Sequence, residues 1–205
     1  MSKQVIALCV ADLHLSEKPP VARSVEQNWL GVQEGYINQL RELQTYHIAP
    51  IFIAGDLFDT WHSSAHLITH VIRWLWGMEI YAIPGNHETP HHSYIQMEKS
   101  AYYTLVEAGV IKTLTPGGSQ SVGPMTVYPY PYGFEIQPPD KDTGLSLKVA
   151  LIHNFIWTKT TGHPMATEET RFAAWAKKLE GYDIAIFGDN HFPWCYDGAE
   201  KKLRI

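Results

Sequence analysis

Polar side chains that can bind metal ions follow five short apolar segments of the chain, each at the point where the segment ends. The segments have the length and composition of buried strands: Val5 to Ala11, Ile51 to Ala54, Ile80 to Ile83, Val149 to Ile152 and Ile184 to Phe187. Because the carboxyl ends of strands form the ligand crevice of open α/β sheets, we expect these side chains to converge. They are Asp12 and His14, Asp56 and Asp59, Asn86 and His87, His153 and Asn154, and Asp189 and His191.

The donor atoms of this set are carboxylate and amide oxygens and imidazole nitrogens, with no thiolate among them. Such donors suit Mn, Fe, Zn or Mg rather than an iron–sulfur cluster or a structural zinc site. They exceed what one catalytic ion usually takes, so we predict two divalent ions that share a bridging carboxylate. Two ions about 3.5–4 Å apart activate water and stabilise the charge that develops during phosphoryl transfer. The expected chemistry is therefore phosphoester hydrolysis.

The segments that carry these groups alternate with helical patterns, which predicts βαβ units and the α/β class. We predict three helices: one with an apolar stripe from Val25 to Leu43, one over Ser64 to Trp76, and one over Met97 to Ala108. A further helix is expected after Thr167, as are strands over Met125 to Tyr130 and Leu147 to Ile152. The stripe of the first helix consists of Val25, Trp29, Val32, Tyr36, Leu40 and Leu43. The glycines expected to let the chain turn sharply at the ligands are Gly55, Gly85 and Gly188.

Composition excludes several classes of protein. The chain has 205 residues, of which 45% are hydrophobic and 18% charged, so it can bury one sizeable core and is not disordered. Its apolar runs are far shorter than the ~20 residues of a membrane span, and no signal peptide opens it, so we expect a cytoplasmic protein without membrane contact. Cys9 and Cys195 are expected to be reduced thiols. The formal charge of −5 means that any nucleic-acid contact must be local.

Five motifs occur in a familiar order: D-x-H at Asp12, G-D-x-x-D at Gly55, G-N-H-E at Gly85, the lone His153 after a strand, and G-D-x-H at Gly188. This set resembles the calcineurin-like metallophosphoesterases over nearly the whole chain. That resemblance implies a four-layer α/β sandwich, with two facing mixed sheets flanked by helices, as a single catalytic domain over residues 1–205. Only 14 residues follow His191, so we expect either a minimal version of the domain or an abbreviated chain without the usual C-terminal strands and cap.

The resemblance also implies a role for each candidate. Asp12, His14 and His191 would hold one metal ion, Asp56 would bridge, and Asn86, His153 and Asp189 would hold the other ion. His87 would then be the acid that protonates the leaving alkoxide, while Asp59 orients its ring. Asp189 departs from the family, which has His at this position. A third carboxylate makes the site harder, which favours Mn or Mg over Zn.

Three functions remain open. Within the family the chain is similar to SbcD-type DNA-repair nucleases, which implies a Mn-dependent DNA phosphodiesterase, a possible SbcC-like ATPase partner and a possible homodimer. The second function is a small-molecule or nucleotide phosphoesterase, and the third is a degenerate fold that acts as a binding or scaffold module. A protein serine/threonine phosphatase is disfavoured, because Asp59-Thr60-Trp61 stands where those enzymes have Asp-Arg-Gly.

Other residues have two interpretations each. The segment Tyr128 to Phe134 could stack nucleobases or form a rigid loop packed on itself. His91 and His92 could touch a substrate phosphate or lie in a solvated loop. His62, His66 and His70 share one helical row, which we interpret as an exposed polar face rather than a metal site.

Overall fold

Two four-stranded sheets form the centre of the protein in a computed structural model, which describes residues 4–140, 144–158, 166–197 and 202–204. The first sheet has the order β1 (Leu8–Val10), β2 (Ile51–Ala54), β3 (Ile80–Ile83) and β4 (Lys112–Thr113). The second has the order β5 (Gln120–Val122), β6 (Met125–Tyr130), β7 (Leu147–His153) and β8 (Ile184–Gly188). A two-stranded pair, β9 (Cys195–Asp197) and β10 (Lys202–Arg204), is antiparallel.

Only one of the two sheets is mixed. In the second sheet β5 is antiparallel to β6, and the other pairs are parallel. In the first sheet every pair is parallel, which corrects the expectation that both sheets are mixed. The reason is that a helix follows each of its first three strands, and such crossover connections return the chain in the same direction.

Among the described residues, four α-helices accompany the sheets: α1 (Trp29–His47), α2 (Ala65–Leu75), α3 (Ala101–Glu107) and α4 (Phe172–Trp175). Short 3-10 turns cover Val21–Arg23, Pro90–His92, Tyr94–Lys99 and Glu168–Thr170. The side chains of Asn28, Ser64 and Ser100 cap the first three helices by accepting a backbone N–H. No helix within the described residues is both long and apolar enough to cross a bilayer.

The buried face of α1 differs from the predicted stripe. The helix begins at Trp29, so Val25 lies before it and is 87% exposed, and Tyr36 and Leu43 are about half exposed. The buried residues are instead Gln33, Ile37 and Leu40. Gln33 is tolerated there because its amide accepts the N–H of Ser16 and donates to the carbonyl of Ser16, each at 2.8 Å. An apolar stripe cannot reveal a polar residue whose partners lie elsewhere in the chain.

Other element boundaries also differ from those expected. The segment predicted as one helix over Met97 to Ala108 is the 3-10 turn Tyr94–Lys99 followed by α3, with extended backbone at Ser100 between them. The first strand is limited to Leu8–Val10. After Thr167 a 3-10 turn and the short α4 replace a continuous helix, and the Thr167 side chain does not cap them.

The helices and the two sheets pack in four layers. One face of the first sheet packs against α1, α2 and α3, through residues such as Ile53 and Ile80. Its other face contributes Phe52 and Ile83 to a core shared with the second sheet. The outer face of the second sheet packs against Trp175 of α4. This alternation along each strand confirms the α/β fold of two facing sheets flanked by helices.

Candidate metal centre

The candidate ligands meet where the parallel strands end. Within the described residues, three groups of side chains offer ligand atoms that all lie within 4.8 Å of one another. The groups share members, so they form one continuous cluster. They are Asp12 with His14 and His191, His14 with Asp59 and His87, and Asp12 with Asp56 and His153.

Asp56 occupies the middle of this cluster and is 1% exposed. Its Oδ2 lies 3.4 Å from His153 Nε2, 3.8 Å from His14 Nε2 and 3.9 Å from His87 Nε2. Its Oδ1 accepts the backbone N–H of His87 at 3.1 Å. Burial alone raises the pKa of Asp56, but the hydrogen bond and charge of His153 lower it overall. A carboxylate among three imidazoles has the position that a bridging ligand requires.

His153 tests whether a cation fits between these groups. The ring is fully buried, and its Nδ1–H donates to the carbonyl of Ala54 at 2.7 Å. The other nitrogen, Nε2, therefore faces Asn86 Oδ1 at 2.9 Å and Asp56 Oδ2 at 3.4 Å. Nε2 must carry a second proton there or share a cation with the two oxygens. Burial lowers the pKa of His153, but Asp56 raises it to about 9, so this place in the cluster favours a positive charge.

His14 and His191 present a second pair of nitrogens suited to a cation. Their Nε2 atoms lie 3.2 Å apart. The pKa of His14 is lowered, chiefly by burial, which favours the neutral ring that binds metals. In the part of the chain that the structure describes, Nδ1 of His14 is buried and makes no hydrogen bond. The donor set therefore fits divalent ions.

Asp189 lies beside this cluster rather than in one of its three groups. Its backbone N–H donates to both carboxylate oxygens of Asp12, at 2.9 and 3.1 Å. Burial raises the pKa of Asp189, and the neighbouring carboxylates of Asp56 and Asp12 add to this effect. Among the described residues its carboxylate joins no group of ligand atoms within 4.8 Å. Its role as a ligand is therefore a proposal that depends on the bound ion.

His87 is held by Asp59 in a way that differs from the expected one. The Nδ1–H of His87 donates to the backbone carbonyl of Asp59 at 2.5 Å. The carboxylate of Asp59 instead lies near His14, with Oδ1 3.4 Å from Nδ1. The main chain of Asp59 thus orients the ring of His87, and Nε2 is left for other partners.

Backbone conformation marks the same residues. Asp12, His14, Asp56 and Asp189 have φ values of 54°, 44°, 51° and 83°, in the left-handed region that few non-glycine residues adopt. Such conformations cost of order 1–3 kcal/mol each and persist where the surrounding structure holds them in place. Four such residues in one cluster therefore indicate a functional site, where the chain accepts a less stable backbone conformation that directs these side chains towards one another.

The three motif glycines provide space around His153 and Asp56. A Cβ at Gly85 would lie 2.0 Å from Asp56 Oδ1, and one at Gly188 would lie 2.0 Å from the Ala54 carbonyl oxygen. Gly55 alone of the three has a positive φ, +87°. The expectation that all three permit a sharp turn is therefore correct only for Gly55, because the other two permit close approach.

Glu88 is a structural support of the site that the sequence analysis did not recognise. Its fully buried carboxylate accepts the backbone N–H groups of Asp56, Phe58 and Gly85 at 3.0, 2.8 and 2.8 Å. Burial, with a contribution from Asp56, raises the pKa of Glu88 to about 7, and the N–H groups of Phe58 and Gly85 oppose this rise. Glu88 ties together the loops after β2 and β3. Its place inside the G-N-H-E motif was the available signal.

The histidines of α2 lie apart from these groups. The ring centroids of His66 and His70 lie 4.7 Å apart, and Nδ1 of His66 lies 3.4 Å from Glu17 Oε1. Neither they nor His62 join a ligand group within the described residues. His91 and His92 lie in an exposed turn.

Comparison with known proteins identifies the family. No curated protein matches the chain. A family model described as calcineurin-like phosphoesterase matches residues 7–193, which include every candidate ligand. The chain belongs to the calcineurin-like phosphoesterase family.

Proposed function

We propose that the protein is a DNA phosphodiesterase that uses two divalent ions, with Mn preferred. Membership of the family indicates a metal-dependent phosphoesterase. The observation that carries the proposal is the convergence of imidazole nitrogens and carboxylate oxygens around Asp56 Oδ2 at the ends of parallel strands. The single domain over residues 1–205, an SbcC-like ATPase partner, a homodimer and a cytoplasmic location belong to the same proposal.

The candidate ligands divide into two sets around Asp56. We assign Asp12, His14 and His191 to one ion, and Asn86, His153 and Asp189 to the other. When bound, the ions would stabilise phosphate oxygens and lower the pKa of water. Three carboxylates make the donor set hard, which favours Mn or Mg over Zn.

His87 is the proposed proton donor to the leaving oxygen. Because its Nδ1–H is held by the Asp59 carbonyl, Nε2 is the atom that delivers the proton. The side chain is 36% exposed, and Nε2 lies 3.9 Å from Asp56 Oδ2, at the boundary between the cluster and solvent. The alkoxide that leaves a DNA phosphodiester is strongly basic, so protonation contributes most for such a substrate.

The open rim supports a polymeric substrate. His191 is exposed and the side chain of Asp59 is 54% exposed, so the cluster is reached from the surface. The segment Gly55 to Asp59 resembles the corresponding motif of SbcD-type nucleases. The second candidate, a nucleotide or small-diester phosphoesterase, is favoured by a groove of about 360 Å³ beside Asp59 and by the net charge of −5.

The test combines metal analysis with a comparison of substrates. Purified protein supplied with Mn is given linear DNA, small diesters and small monoesters. DNA hydrolysis with two bound ions per chain supports the proposal. Hydrolysis of small esters alone favours the second candidate, and metal binding without any hydrolysis favours a scaffold module.

His87→Ala tests the proton donor. We expect the variant to keep its metal content and to lose about 10²–10⁴-fold of kcat on DNA, while an ester with a good leaving group loses much less. The matched control is His47→Ala, because His47 lies at the C-terminal end of α1, away from the cluster. The assignment fails if His87→Ala loses both ions or cleaves DNA at the parental rate.

A further inference from the structure

Two pairs of aromatic and imidazole rings lie in contact on loops that follow Asp59, His87 and β6 in the chain. The four rings are those of Trp61, His91, His92 and Tyr132, and we call them the ring row. Ring centroids lie 6.4 Å apart for Trp61 and His91, and 5.7 Å apart for His92 and Tyr132. Trp61 follows Asp59 by two residues, and His91 follows His87 by four. The two loops that hold the proposed proton donor therefore continue directly into the ring row.

The two histidines of the ring row have unusual backbones. His91 and His92 have φ values of 54° and 57°, so two consecutive non-glycine residues are in the left-handed region. Backbone hydrogen bonds from His92 to Thr89, at 2.9 Å, and from Ser93 to Pro90, at 3.0 Å, hold this turn. Both side chains are nevertheless exposed. Packing against the core therefore does not account for the unfavourable conformation, and such conformations cluster at functional sites.

Tyr132 lies in the loop after β6, and Phe134 anchors this loop. The ring of Phe134 packs edge-on against Tyr94, with centroids 5.0 Å apart, and Tyr94 follows the histidine turn in the chain. This contact brings the loop after β6 against the loop after β3. Phe134 and Tyr94 form the packed part of the contact, and Tyr132 remains partly exposed.

We infer that the ring row stacks unpaired nucleobases next to the scissile phosphate of single-stranded DNA. This inference rests on the proposed DNA phosphodiesterase function. Flat rings at the rim of a phosphoester site match the π-faces of bases, and stacking needs no particular sequence. The ring row has no lysine or arginine, and the chain carries a charge of −5. Base stacking rather than attraction of phosphates then supplies the affinity here.

The test distinguishes binding through the nucleobases from binding through the sugar–phosphate backbone of DNA. A fluorescent oligothymidylate and an abasic oligomer of equal length carry the same charge, so any difference between them reports on the bases. We expect Tyr132→Leu and His92→Asn each to weaken oligothymidylate binding about tenfold, measured by anisotropy in EDTA, and to leave the abasic oligomer unaffected. Asn tolerates the left-handed backbone, so His92→Asn keeps the turn.

Trp76→Leu is the matched control. Trp76 is 65% exposed and ends α2, at the opposite edge of the sheet from the metal cluster. Trp76→Leu should change neither the affinity for oligothymidylate nor the affinity for the abasic oligomer. Equal losses for both oligomers in the ring-row variants, or equal binding of both oligomers by the parental protein, would overturn the inference and leave the DNA phosphodiesterase function standing. Hydrolysis of small esters without binding of either oligomer would overturn both.

Discussion

We expect Gly188→Ala, a substitution at the end of β8 in the second sheet, to disrupt the metal site. A Cβ at this position would lie 2.0 Å from the Ala54 carbonyl oxygen and 2.7 Å from His153 Nδ1. These are the two atoms that form the hydrogen bond fixing the His153 ring. The first contact is with the backbone of β2, which cannot turn aside as a side chain could. The methyl group must therefore push β8 away from β2 or displace the imidazole.

The cost follows from two effects. Breaking the buried hydrogen bond leaves both of its partners unsatisfied, which costs about 1–3 kcal/mol. Forcing a methyl group into a filled space costs a further ~1–3 kcal/mol. We therefore expect the free energy of unfolding to fall by about 2–6 kcal/mol, out of the ~5–15 kcal/mol typical of a domain. The affinity for the ion beside His153 should fall about 10–100-fold, because the ring loses its orienting partner.

Urea unfolding in EDTA, followed by tryptophan fluorescence, measures the first effect, and calorimetric titration with Mn measures the second. Gly118→Ala is the matched control, since no atom lies within 4 Å of its Cβ and its φ lies outside the left-handed region. It should change stability by no more than about 0.5 kcal/mol. If both variants unfold at the same urea concentration and bind Mn equally, the close approach at Gly188 has no energetic consequence and the reasoning is wrong.

Three further outcomes are expected. Asp189→Ala should lower Mn stoichiometry from two ions to one in calorimetry, and Asp189→His should shift preference towards Zn; unchanged stoichiometry in Asp189→Ala would show that this carboxylate is not a ligand. Asp59→Ala should lower kcat on DNA less than His87→Ala does, because the main-chain carbonyl still holds His87; equal losses would contradict this. In metal-free protein the pKa of His153, raised from 6.5 to about 9, should make Tm fall as pH rises through that interval, and His153→Gln should abolish this dependence.

Hydrophobic pattern and local motifs predicted the elements whose partners lie nearby in sequence. The helix predicted over Ser64 to Trp76 is α2 (Ala65–Leu75), and the side chain of Ser64 caps its first turn. The pattern failed for α1, where the buried face includes Gln33, because that side chain is satisfied by backbone groups 17 residues away. Periodicity carries no information about such distant polar partners.

The same limit applies to the candidate site. The order of motifs predicted which side chains would converge, and the structure brings seven of them into one cluster of ligand atoms. It did not predict that Asp59 would hold His87 by its carbonyl, because every residue has that atom. Nor did it reveal Glu88 as the acceptor of three N–H groups, since these bonds depend on the final positions of two loops.

The hydrogen bond from His153 to Ala54 joins the two sheets, and it gives the site a place in the order of folding. Every strand of the first sheet lies between residues 8 and 113, and every strand of the second between residues 120 and 188. Asp12, Asp56 and Asn86 thus emerge from the ribosome well before His153 and His191. A growing chain can assemble its first βαβ units early, yet it holds an incomplete set of donors until Asp189 and His191, which follow β8, are made. Metal uptake during synthesis would consequently report the docking of the second sheet onto the first.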